Sequence, residues 1–260
     1  MTTLAHDRKY LKPLDYISFG GAMFANGAVT GLLQAYLLAF CFMIIDEKTY
    51  ILGIIFFIVK VWDGINDPIL GLIVDRTKTR WGKMRPYIIF AAIPFGLLTI
   101  AFFIIPASFE TTVKLFLVFF LYLLWDTVST LVDVPLNGLY SVITPNAKER
   151  TKLVTFTRIL GSVGGESALV LVTVALLILG KERMRDSITI AAIIIGVLAP
   201  ILLVWGAKRS KERLAPPVQE KHTIKDVFKY LKQNKPLIFL LFANLLTFFR
   251  HVVSASIIYM

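Results

Sequence analysis

The chain of 260 residues is 57% apolar and 17% charged, with one cysteine and three histidines, where soluble domains run near 45–50% apolar and about 25% charged. That balance excludes a disordered chain, a disulfide scaffold and a soluble nucleic-acid binder. Cys41, with His6, His222 and His251 far apart in sequence, offers no zinc pattern.

A membrane-spanning helix takes about 20 mainly apolar residues. Seven segments meet that length: 17–45, 51–74, 87–106, 113–143, 153–180, 187–206 and 236–260. The expected fold class is an all-α membrane protein. Residues 1–206 form a six-helix transmembrane bundle, 207–235 a polar connection and 236–260 a further span. The first apolar run is longer than a signal-peptide core of about 7–15 residues, and no small-residue cleavage site follows it, so it reads as an uncleaved span. Within the long connection, Ala215-Pro216-Pro217 is a breaker, and Thr223 stands as an N-cap three residues before Asp226. Ile224, Val227, Phe228 and Leu231 then recur at helical spacing. The segment reads as a short amphipathic helix on the inner membrane face or as a linker between two bundles, and the two readings are compatible.

The formal charge of +11 is chiefly a topology signal. Twenty of the 28 Lys and Arg fall in the N-terminal tail and the second, fourth and sixth connections; five fall on the opposite side; Lys60, Arg158 and Arg250 lie inside spans. Positive-inside bias then places the N-terminus and the long connection in the cytoplasm of a multi-pass protein of the cell (inner) membrane. The basic face also suits acidic lipid, and nucleic acid is not expected as a partner.

Charges inside a span are costly, about 2.5–3.5 kcal/mol each on insertion scales, and mark functional positions. In the first span Asn26 lies among Gly20, Gly21, Gly27 and Gly31, a closely packed helix with Asn26 as a candidate for a cavity wall. In the second span Asp63, Asn66 and Asp67 share one helix face at i, i+3 and i+4. Two carboxylates and an amide oxygen make a hard-oxygen site for a small cation, and two close like charges could instead share a proton. Lys60, one turn earlier, could neutralise them when the cation leaves; a purely structural Lys60–Asp63 brace is the plainer alternative.

In the fourth span Asp126, Thr130, Asp133 and Asn137 form one polar stripe, with Trp125 beside it. Such a stripe lines a cavity, where carboxylates and amides meet sugar hydroxyls and an aromatic ring stacks on a sugar, or it serves interhelical hydrogen bonding. Pro135 predicts a kink there. The fifth span holds Arg158, a possible partner of Asp133 or a snorkelling side chain, and Glu166 near Gly161, Gly164 and Gly165, which read as packing glycines. No nucleophile–base set of an enzyme is present, so no catalytic residues and no cofactor are expected, and the acid surplus within the spans suits a site that takes up a cation.

The run from Asp63 to Pro86 contains Asp63-Gly-Ile-Asn66-Asp67-Pro68, then Gly71 with Asp75-Arg76, then Arg80-Trp81-Gly82-Lys83 and Arg85-Pro86. It strongly resembles the glycoside–pentoside–hexuronide:cation symporters, the melibiose-permease-like branch of the major facilitator superfamily. The other spans follow in register. The resemblance implies twelve spans in two six-helix halves with cation and solute near the midplane. This chain would then hold the N-terminal half, the central loop and part of the second half, as a fragment of a longer protein that is a monomer once completed.

By the same resemblance Asp63, Asn66, Asp67 and Thr130 are cation-site positions, with Asp63 and Asp67 as the ligands of sodium if the ion is not a proton. Lys60 is charge-balancing, and Asp133 and Arg158 are substrate-site positions. Gly71, Asp75, Arg76 and Arg80 belong to a cytoplasmic gate whose ion pairs break on alternation. Two departures fall on the sugar side: the family's first-span Asp is replaced by Asn26 or Gly27, and a fourth-span Trp by Asn137. Asn26, Asn137, Trp125 and Asp126 complete the expected substrate wall, Asp126 offsetting the missing acid. The expected function is sodium- or proton-coupled symport of a sugar or glycoside. A non-sugar solute such as a lysolipid or drug on the same scaffold, or a non-transporting membrane sensor, are the alternatives.

Overall fold

A computed structural model describes residues 9–45, 49–77, 79–180 and 182–214, together with Asn234, Phe239 and Ala243. Six helices follow in order: α1 Pro13–Ile44, α2 Thr49–Arg76, α3 Arg85–Phe103, α4 Thr111–Val142, α5 Ala147–Leu179 and α6 Met184–Arg209. All lie in the first of two compact units, Met1–Ala215 and Pro216–Met260. The seventh predicted span and the amphipathic helix expected near Thr223 fall outside the described residues.

Five of the helices are long and apolar enough to cross a membrane. The second expected span, α2, has the length, 28 residues, but it carries Lys60, Asp63 and Asp67 and is not among the five. The chain is an integral membrane protein by these helices. α6 continues to Arg209, three residues past the predicted end of its span. α4 runs as one helix from Thr111 to Val142 with Pro135 inside it.

The helix ends follow from local chemistry. Pro13 opens α1, where a missing N–H costs nothing. At its other end the buried Lys114 ammonium donates to Ile44 O at 2.5 Å and to Ala107 O at 3.3 Å, a cation at a helix C-terminus. Asn146 caps α5 by accepting from the N–H groups of Lys148 and Glu149. Gly180, with φ +95°, ends it.

α1 packs against α5 and α6, α3 against α4 and α6, and α2 against α4. Lipid chains are as apolar as leucine, so helices associate through close packing, and the glycines supply it. A Cβ on Gly27 or Gly31 would overlap the backbone of Gly161 or Gly165, and one on Gly164 would overlap Phe24 O. Gly96 and Gly196 do the same for α3 and α6. The packing role expected for the first- and fifth-span glycines is what the structure contains.

The basic end of the bundle is tied by the chain that follows α6. The Glu212 carboxylate accepts from the backbone N–H groups of Lys83 at 2.8 Å, Met84 at 2.9 Å and Arg85 at 3.3 Å, capping α3 from a distance in sequence. Arg85 donates back to Ala207 O and Lys208 O, and Arg213 and Leu214 donate to Val142 O. Glu149 is buried and accepts from Tyr10 N, Leu11 N and Thr144 Oγ1, anchoring the approach to α1.

Candidate cation and solute site

The pairing of α2 with α4 brings the second-span face against the fourth-span stripe. Thr130 is the junction. Its hydroxyl accepts from Asn66 Nδ2 at 3.1 Å and faces two acceptors, Asp67 Oδ1 at 2.9 Å and Asp126 O at 3.1 Å. Asn66 and Thr130 are almost fully buried, 4% and 3% exposed, while Asp67 is open. A second link, Trp62 Nε1 donating to Thr127 Oγ1 at 2.9 Å, holds the same two helices one turn away.

Asp63, on the same face of α2, has a different partner. Lys60 Nζ lies 3.1 Å from Asp63 Oδ2 and 3.8 Å from Asp126 Oδ1. The ammonium thus stands between a carboxylate of its own helix and one of α4. Asp126 is 3% exposed, and its second oxygen, Oδ2, is buried with no donor among the described residues. A buried carboxylate oxygen without a donor is a costly arrangement. Asp126, expected among the substrate residues, is beside Lys60 and the cation-side acids.

One turn beyond Thr130 along α4, Asp133 meets α1. Asn26 Nδ2 donates to Asp133 Oδ1 at 2.5 Å. Asn26 Oδ1 is buried and without a donor among the described residues. Asn137, exposed, donates to Asp133 O. Of the alternatives for Arg158, pairing with Asp133 is not the one present: Asn26 holds Asp133, and Arg158 is exposed on α5. Trp125 is also corrected as a ring offered to solute. It is 6% exposed, stacks on Phe95 and Tyr122, and donates Nε1–H to Thr99; both its apolar surface and its polar handle are used in the core. Glu166 opens instead on an apolar groove of about 620 Å3 between α1, α5 and α6.

At the α2–α3 turn Asp75 Oδ1 lies 2.6 Å from Lys83 Nζ. Of the expected gate residues, Asp75 takes part in this pair. Arg76 is exposed, the Arg80 guanidinium lies over the Trp81 ring at 5.3 Å, and Gly71 faces open space. Lys83 and Glu212 are the residues that sequence reasoning missed. The signal for Lys83 is Gly82 before it: with φ +105°, and Glu212 occupying the place of a Cβ, only glycine fits the turn that returns Lys83 to Asp75. No motif announced Glu212.

Apolar helices of membrane-crossing length, with carboxylates, an amide and a hydroxyl gathered where α2 meets α4, define an integral membrane protein with a polar cluster inside its span. The description "MFS/sugar transport protein" matches residues 18–259, and the chain belongs to this family, in its glycoside–pentoside–hexuronide symporter group. The family is one of transporters, not enzymes. The chain is similar to the uncharacterized symporter YnaJ of Bacillus subtilis, 27% identical over 98% of this chain and 55% of that protein. It is also similar to the isoprimeverose transporter of Lactiplantibacillus pentosus, 29% identical over 87% and 48%. A third relative is the putative glycoside/cation symporter YagG of Escherichia coli, 30% identical over 85% and 48%. The chain spans about half the length of these relatives.

Proposed function

We propose that the protein is a secondary active transporter in which a sodium ion or proton drives symport of a sugar or glycoside by alternating access. The observation that carries this reading is the Asn66–Thr130–Asp67 cluster, with Asp63 alongside and the Asn26–Asp133 pair one helical turn away. Two carboxylates, a hydroxyl and an amide are a hard-oxygen donor set suited to a small cation. The Lys60 ammonium, 3.1 Å from Asp63 Oδ2, is placed to neutralise that carboxylate when the cation leaves.

The solute meets Asp133 and Asn26, with Asn137 and Arg158 approaching from the same stripe and from α5. Thr130 and Asp133 lie three residues apart on one rigid helix, so a cation that orders Thr130 also orders the solute wall, and binding of one ligand favours the other. Asp75 and Lys83 close the cytoplasmic side and part on alternation. In this reading residues 1–206 are the first bundle, 207–235 the cytoplasmic central loop and 236–260 the start of a second bundle. The N-terminus is cytoplasmic, the membrane is the inner cell membrane, and the carrier is a monomer. The relatives named for isoprimeverose and for glycoside and cation support the solute class.

The test is uptake of labelled glycosides into vesicles bearing the full-length protein. Uptake rises with an imposed sodium or proton gradient and collapses in Asp67→Cys; uptake indifferent to every cation gradient overturns the coupling.

A further inference from the structure

We propose that the basic ends of α1 and α6 hold the headgroup of an anionic phospholipid. Lys12, Lys208, Arg209, Lys211 and Arg213 surround, with Asp15, a pocket of about 320 Å3. Five cations against one acid leave a formal charge of +4, and the acid is already engaged. Asp15 Oδ1 lies 3.3 Å from the Arg209 guanidinium, and Oδ2 accepts from Lys12 N at 3.0 Å. Arg209 Nε is buried and has no acceptor among the described residues. An anionic oxygen there gains a charge-assisted bond that the protein itself does not supply.

The wall of the pocket is fixed in place. Arg213 donates to Ile143 O at 2.9 Å, and Lys208 O accepts from Arg85 at 2.7 Å.

The surface beside the pocket selects a lipid over a soluble anion. On α1, Leu14 and Ile17 are 45% and 51% exposed, and Ile17 stands one turn before Gly21. A Cβ on Gly21 would touch the ring of Trp205, which stands one turn before Arg209 on α6. Leu14 and Ile17 therefore lie within one turn of Asp15 on α1, and Trp205 one turn from Arg209 on α6, exposed apolar side chains flanking the pocket residues in both helices. Indoles at this level are interfacial anchors, and basic pockets between spans suit anionic headgroups. A phosphodiester in the pocket with its acyl chain along these side chains satisfies both parts; a free anion uses only the first.

The experiment is native mass spectrometry of the full-length protein in detergent, titrated with dioleoyl phosphatidylglycerol, dioleoyl phosphatidylcholine and, as competitor, inorganic phosphate. Phosphatidylglycerol is retained in preference to phosphatidylcholine. Lys12→Gln/Lys211→Gln, two exposed positions, weakens that retention about tenfold at an unchanged melting temperature. Lys148→Gln/Lys152→Gln, an equal charge change at the start of α5, leaves it intact. Equal loss in both pairs, no preference between the two lipids, or displacement of the lipid by low-millimolar phosphate overturns the proposal.

Discussion

The hydroxyl of Thr130 on α4 lies 2.9 Å from Oδ1 of Asp67 on α2, joining the two helices at the centre of the acid cluster. Thr130→Val keeps the shape and removes the hydroxyl, leaving Asn66 without its acceptor. The coupling-ion concentration for half-maximal solute binding is expected to rise about tenfold, in line with roughly 1.5–3 kcal/mol for hydrogen bonds to charged groups. Thr130→Ser retains the wild-type value. Binding of labelled glycoside across a cation titration measures both, and an unshifted midpoint in the valine variant removes Thr130 from the cation site.

Asn26 supplies Asp133 with its side-chain donor from α1. Asn26→Ala is expected to weaken glycoside binding at saturating cation by about 10- to 100-fold, the loss of one charge-assisted bond, while leaving the cation midpoint in place. Equilibrium dialysis with the full-length protein separates the two quantities. A change confined to the cation midpoint would assign Asn26 to the other side of the site.

Lys60 stands between Asp63 and Asp126. Lys60→Met leaves those carboxylates without their ammonium, so a bound cation has more repulsion to relieve. Sodium chloride, compared with choline chloride at equal ionic strength, is expected to raise the melting temperature of this variant by at least about 2 °C more than that of the wild type, close to 1 kcal/mol in a protein of this size. Equal increments would mean that Lys60 does not stand in for the ion.

Gly27 admits no side chain, because a Cβ there overlaps Gly161 O, and backbone cannot step aside. Gly27→Val is expected to separate α1 from α5 and abolish recovery of folded protein in detergent. Gly53→Ala meets nothing within 4 Å and is expected to be neutral or to stabilise by up to about 1 kcal/mol. Size-exclusion profiles and melting temperatures of the two variants make the comparison.

Glu212 caps three N–H groups at the start of α3. Glu212→Ala is expected to cost about 1–3 kcal/mol, read as a lowered melting temperature. A neutral result would show that water replaces the carboxylate at this end of the bundle.

Much of this architecture is carried by composition along the chain. The bilayer imposes a minimum length of apolar helix, so six of the seven expected segments coincide with observed helices. The exception in kind is α2, whose Lys60, Asp63 and Asp67 set it apart from the five helices apolar enough to cross by themselves. The shared face of Asp63, Asn66 and Asp67 and the stripe from Asp126 to Asn137 follow from helical periodicity alone, because three and four residues return to one side of a helix. The packing glycines are legible for the same reason.

Partner choice is different, since it depends on which helix faces which and at what height. Only the packing of α2 on α4 joined Asn66 and Asp67 to Thr130. The packing of α1 near α4 gave Asp133 to Asn26 in place of Arg158. Trp125 turned into the core because Thr99 offered its indole an acceptor there. Lys83 and Glu212 reach their partners through the turn at Gly82 and the chain beyond α6, contacts that span up to 129 residues of sequence. Periodicity reports the face of a helix on which a charge lies; it carries no information about the neighbour that face will meet, and in a low-dielectric bundle that neighbour decides whether a buried charge acts as ligand, brace or cap.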